Sequence, residues 1–75
     1  MVSKITKSQL QEIEDARYAS PELYHEALFE ITGITAVPYT GYQYYDAAEN
    51  YIGDDFDSDT HDLLKMAYIE VIDDE

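Results

Sequence analysis

Seventeen acidic side chains stand against four basic ones in this chain, a formal net charge of −13, and that imbalance constrains the fold more than any motif does. Like charges at this density repel one another and destabilise a small compact state. At 75 residues there is room for one hydrophobic core, and domains of this size bury only about 60% of the surface that their unfolded chains expose. There is no cysteine, which excludes disulfides, thiolate metal sites and thiol chemistry and leaves packing alone to hold the fold. A disordered tail is the usual home for so much acid. Here, however, 45% of the residues are hydrophobic and eight are tyrosine, whereas disordered chains are poor in both. The composition implies a single acidic folded domain over residues 1–75.

The charge is unevenly placed. Up to Ser20, Lys4, Lys7 and Arg17 balance Glu12, Glu14 and Asp15. From Pro21 to Asn50 the chain carries Glu22, Glu26, Glu30, Asp46 and Glu49 with no base, and beyond that Lys65 alone faces the acids of the C-terminal third. The start, MVSKITKSQL, lacks the apolar run of a signal peptide, and no stretch approaches the roughly 18 apolar residues of a membrane span. A cytoplasmic protein with no membrane partner is expected.

Capping signals divide the rest. Thr6 with Gln9, or Ser8 with Gln11, has capping-box spacing ahead of a helix to about Ala19. Ser20 as N-cap, Pro21 at the first helical position and Glu22 near the positive dipole end open a second helix over 21–32. Its apolar stripe is Leu23, Tyr24, Ala27, Leu28 and Ile31, and Gly33 is the stop. Residues 33–40, with β-branched side chains and Pro38, read as an extended connector in which 34–39 suits a short strand. Thr40 with Gln43 repeats the capping-box spacing, and Tyr42, Tyr45, Ala48 or Glu49, and Ile52 recur at helical intervals before Gly53, which predicts a third helix. Ser58 or Asp59 then caps a fourth, with Leu64, Ala67, Tyr68 and Val71 on its core stripe. Its other flank holds Leu63, Met66, Ile69 and Ile72, so the helix is apolar around most of its circumference and these four are the candidate homodimer interface. Strict alternation with period two is absent, and the expected fold class is all-α, a bundle of three to four short helices.

Chemistry has little to build on. Asp55, Asp57 and Asp59 match the first three ligand positions of an EF-hand loop. Thr60 stands where that loop needs glycine, and Met66 where it needs the bidentate glutamate. The simpler account of Asp57, Asp59 and Asp62 is acids near a helix N-terminus, which the dipole favours. His25 and His61 are the only histidines, each beside an acid, with no nucleophile at a telling spacing. A non-enzymatic chain without metal or cofactor is expected.

The charge itself remains. Glu22, Glu26 and Glu30 recur every fourth residue, so they line one helix face at about 6 Å steps along the axis. Like charges at that spacing each cost a few tenths of a kcal/mol, and solubility calls for a net charge of only about 2 to 8 in a small domain. B-DNA carries one charge per about 1.7 Å of axis, so thirteen charges correspond to roughly 22 Å of duplex and a dimer's to roughly 44 Å. Carboxylates on a rigid scaffold are suited to replace phosphates. The candidate phosphate-like surface is Glu22, Glu26, Glu30, Asp46, Glu49, Asp54, Asp55, Asp57, Asp59 and Asp62.

The segment YHEALFEITGITAVPYTGYQYYDAAEN, from Tyr24 to Asn50, resembles small acidic phage anti-restriction proteins of the Ocr type. The likeness lies in His25, Glu26 and Ala27 on a helix, then Ala36, Val37, Pro38 and Tyr39, then a further helix. It implies a helical DNA mimic, here much shorter and with only VIDDE in place of a long acidic C-terminal helix. The target that the resemblance implies is the DNA groove of a type I restriction enzyme, and the expected target class is a host DNA-binding defence protein, of restriction-modification or CRISPR type, met in the host cytoplasm without direct nucleic-acid binding. An acidic adaptor that does not imitate DNA is the alternative, and a carboxylate calcium module a weaker one.

Overall fold

A computed structural model describes residues 2–74. The chain runs β1 (Lys4–Thr6), α1 (Lys7–Ala19), α2 (Pro21–Thr32), β2 (Thr35–Pro38), β3 (Tyr42–Tyr45), β4 (Tyr51–Asp54), α3 (Thr60–Met66) and β5 (Glu70–Ile72). Its strands form a parallel β1–β5 pair and an antiparallel β2–β3–β4 sheet. The expected all-α bundle is therefore overturned, and the fold is mixed α/β.

The first two helices form for the reasons their sequences state. Thr6 Oγ1 accepts from the Gln9 N–H at 3.1 Å while Gln9 Oε1 accepts from the Thr6 N–H at 2.9 Å, a complete capping box. Ser20 is the only residue between the helices. Its N–H donates to Ala16 O at 3.1 Å, ending α1, while its hydroxyl accepts from the Leu23 N–H at 3.1 Å, starting α2. At the far end Gly33 takes a left-handed φ of 80° and donates to Phe29 O at 2.9 Å, a conformation glycine adopts without the penalty a Cβ would bring.

Residues 40–52, expected as a third helix, instead run from a turn through β3, a loop and the start of β4. Three of the four β3 residues are tyrosine, a side chain that suits a pleated surface better than a helix. Contrary to expectation, β3 alternates: Tyr44 is buried and Tyr42 packs beneath the sheet against His25, while Gln43 and Tyr45 point the other way. The 46–50 loop is closed by Asp46, whose Oδ1 accepts from the N–H groups of Ala48 and Asn50, both at 2.9 Å. Tyr44 pairs with Gly53 and Tyr45 with Tyr51, so Ile52 is the extra residue of a β-bulge. The bulge turns Ile52 into the core while Tyr51 stays outside.

Asp59 caps α3, but the helix expected to reach Val71 ends at Met66. Tyr68 takes a left-handed φ of 59°, and Ile69 N–H then donates to Leu64 O at 2.8 Å. This reversal buries Ile69 and carries Glu70, Val71 and Ile72 alongside Lys4, Ile5 and Thr6. Residues 71–74 are thus part of the fold. Lys7 Nζ lies 2.7 Å from Asp73 Oδ1, and the Asp74 carboxylate accepts from both the N–H and the hydroxyl of Ser8. The first turn of α1 contains no acid of its own, and Asp74 supplies one across the sequence.

All layers meet in one core of Ile5, Ile13, Tyr24, Leu28, Ile34, Tyr44, Ile52, Leu63, Leu64, Ala67 and Ile69. The radius of gyration is 11.4 Å, close to the value of about 11 Å that chain-length scaling gives a compact domain of this size. Among the described residues no helix is long and apolar enough to cross a membrane.

Candidate interaction surface

On α2 the buried row is Tyr24, Leu28 and Thr32. Glu22, Glu26 and Glu30 are each offset from it by two residues, about 200° around the helix, and all three are exposed. The glutamate row therefore points directly away from the core. Leu23 and Phe29, exposed on the same helix, flank that row; the expected apolar stripe included Leu23, which the fold leaves outside.

The remaining candidate acids divide by what their oxygens do. Asp46 shapes the β3–β4 loop. Asp54 Oδ1 accepts from the N–H groups of Phe56 at 3.1 Å and Asp57 at 2.9 Å, closing the turn before α3. Asp55 Oδ1 accepts from the Tyr42 N–H at 2.9 Å and ties that turn to the sheet. Asp59 and Asp62 form a reciprocal capping box at the start of α3. These five carboxylates are exposed or half-buried and hold local structure. Glu49 and Asp57 are exposed, and Glu49 sits at a φ of 66°, a left-handed geometry that is unfavourable for a side chain of this kind. Backbone N–H groups around Asp46, those of Asn50 foremost, hold its carboxyl below the ordinary carboxylate value.

Neutralisation is sparse. Among the described residues the one ion pair is Lys7 with Asp73. Arg17 lies over the Tyr24 ring, 5.5 Å from its centroid, and between Arg17 and Lys65 the chain has no lysine or arginine at all. The whole three-stranded sheet is built from that base-free span.

The four residues expected to form a dimer interface are not brought onto one outward face. Leu63 is 0% and Ile69 7% exposed, both in the chain's own core, while Met66 at 55% and Ile72 at 38% are open to solvent. The helix that was to carry them stops at Met66, so the face inferred from an unbroken helical period does not exist. Of the three EF-hand candidates, Asp55 accepts from the Tyr42 N–H and Asp59 from the Asp62 N–H, while Asp57 is exposed; among the described residues no three or more acids or histidines converge as a metal cage.

His25 is more engaged than its sequence context suggests. Its Nε2 lies 3.0 Å from the Tyr44 hydroxyl, and its ring lies 4.2 Å from that of Tyr42, centroid to centroid. Both sit in a cleft of about 310 Å³ that Arg17, Tyr24 and Asp55 also line. Burial draws the imidazole below its ordinary pKa, and the Asp55 carboxylate opposes that shift. The Tyr24 hydroxyl is paired with Thr60 Oγ1 at 2.7 Å, which satisfies the buried threonine at the start of α3. Tyr42 and Tyr44, two residues apart, would have pointed to one shared side had the segment been read with strand period.

No family model matches the chain, and neither a curated protein nor a solved structure similar to it was found.

Proposed function

We propose that the protein is a non-enzymatic inhibitor that occupies the DNA-binding surface of a host DNA-binding defence protein, of restriction-modification or CRISPR type, by presenting carboxylates in place of phosphates. The observation that carries this reading is a surface on which the acids of α2, the hairpin loop and the α3 turn lie outside the core with almost no basic partner. Simple solvation does not need such a field. A partner that normally releases counterions on binding phosphates gains the same release here, so affinity should fall steeply with salt.

The test is displacement of labelled duplex DNA from purified restriction and CRISPR complexes across a salt series. Competition that weakens steeply with salt is the expected result. Glu26→Gln alone should weaken it little, because the field is distributed. The triple change Glu22→Gln, Glu26→Gln and Glu30→Gln should weaken it much more while leaving the helix content intact. A ternary complex with DNA and this protein bound together overturns the reading. The exposed Leu23 and Phe29 beside the glutamate row favour a second reading, an acidic adaptor. That protein would bind with a shallow salt dependence and one or two apolar hot spots.

A further inference from the structure

The outer face of the β2–β3–β4 sheet carries an aromatic strip that the core does not use. Thr35, Val37 and Tyr51 are exposed, and Gln43 and Tyr45 are half-buried. The rings of Tyr45 and Tyr51 meet edge to face with centroids 5.8 Å apart, and the Tyr45 hydroxyl donates to Gln43 Oε1 at 3.3 Å. Beside them a groove of about 280 Å³ is lined by Thr35, Val37, Tyr45, Asp46 and Glu49. Asp54 and Asp57 lie close enough to Tyr51 to oppose ionisation of its phenol, after the larger effect of its local desolvation. Carboxylates therefore flank the aromatic strip at both ends, and the strands contain no base to answer them.

We infer that this face is a docking site for arginine side chains of a basic partner protein, with Tyr45 and Tyr51 stacking on guanidinium planes and Glu49 and Asp57 accepting their N–H groups. The inference rests on the preceding reading for the kind of partner it names, and it adds where the partner's arginines go. Guanidinium is the cation this chemistry selects, because it is planar, weakly hydrated and able both to stack on an aromatic face and to donate in a fork to carboxylates. A second copy of this chain is a poor occupant, since it would bring Glu49 and Asp57 against an equally acidic, base-free face. Nucleic acid and anionic lipid are repelled for the same reason. Glu49 holds a charged side chain at the groove in a backbone geometry that asparagine or glycine would adopt at lower cost.

The probes are capped nine-residue poly-arginine and poly-lysine peptides, titrated into the full chain by calorimetry at moderate salt, with amide shift mapping. The arginine peptide should bind about fivefold more tightly than the lysine peptide, with shifts centred on β3 and β4. Tyr45→Thr with Tyr51→Thr keeps strand propensity and should bring the two affinities together. Should circular dichroism show that double variant unfolded, Tyr51→Thr alone, whose side chain lies outside the core, should halve the preference or more. The glutamate triple change on α2 should weaken both peptides while preserving the preference. Equal affinities in the wild type, or a preference that survives removal of the tyrosines, overturns the assignment. Duplex displacement without arginine preference also overturns it and leaves the mimicry reading standing; arginine preference without displacement supports this face and overturns mimicry.

Discussion

Thr6 and Thr40 are each followed three residues later by glutamine, yet the chain around one is a helix and around the other a turn entering a strand. After Thr6 come Lys7, Gln9, Leu10, Gln11 and Glu12, straight-chain residues that lose little rotamer freedom in a helix. After Thr40 comes Gly41, then Tyr42, Tyr44 and Tyr45, which lose χ1 freedom in a helix and pack well on a sheet. The local cap is worth about 1 kcal/mol, less than what the following residues and their burial decide. A capping box starts a helix only where the next two turns agree with it.

The largest effect tests whether the hairpin belongs to the same cooperative unit as the helices. Tyr44→Ala removes a buried ring on β3 and should cost about 3–5 kcal/mol. Ile13→Ala on α1 should cost about 2–5 kcal/mol. Both should shift one common denaturation transition, followed by far-UV and tyrosine signals together. Two separate transitions would split the core described for them.

The direct contrast is smaller and sharper. Thr6→Ala should destabilise by about 1 kcal/mol, whereas Thr40→Ala should leave the denaturation midpoint nearly unchanged, because Thr40 is exposed in a turn and caps no helix. Equal losses at the two sites would mean that Thr40 starts a helix after all.

Left-handed residues extend the comparison. Gly33 after α2 has φ 80°, and Glu49 in the hairpin loop has φ 66°. Glu49→Gly should stabilise the protein by about 1 kcal/mol, the scale of a side chain's penalty in that region. Gly33→Glu should destabilise it by at least as much, since a Cβ there would also lie 3.3 Å from the Ala47 Cβ. Thermal unfolding of the two variants should therefore move in opposite directions.

The smallest effect separates the regions by pH. Burial lowers the folded-state pKa of His25, so its neutral form stabilises the hairpin against α2 above the unfolded value of about 6.5. That contribution declines as pH falls from there through the lower folded value. Asp74, held below its ordinary value of 3.8 chiefly by the Ser8 hydroxyl, behaves as a depressed carboxyl. Its contribution at the β5 end is present above 3.8 and is lost only as pH falls through its lower folded value. A modest drop in melting temperature from pH 7.5 to 5.5, reduced in His25→Gln, is expected. A variant that keeps the whole drop would assign it to other groups.

The boundaries at Ser20 and Gly33 were legible because what sets each is local: a hydroxyl beside a proline at Ser20, and a glycine at the end of α2. The exposed glutamate row was legible for the same reason, as spacing on a helix whose opposite face is apolar. The hairpin was not, since Tyr45 and Ile52 also fit a helical period and the bulge at Ile52 breaks the alternation that would have marked a strand. Met66 and Ile69 appeared as one flank only while the helix was assumed to continue past Ala67. The aromatic strip stayed hidden with the hairpin, because Tyr45 and Tyr51 come together across two strands.

The sequence by itself determined an acidic, cysteine-free composition, two capped helices, the place of the connector after Gly33 and a long span without a base. Each follows from composition or from contacts within about one helical turn. Only the tertiary structure decided that residues 42–45 and 51–54 pair as strands, that α3 ends early, and that residues 70–74 return to β1 and the start of α1. Those outcomes depend on partners far apart in the chain: Ile5 beside Val71 and Ser8 against Asp74. Burying Tyr44, Ile52 and Ile69 in one shared core outweighs the weak helical preference of the segments that contain them.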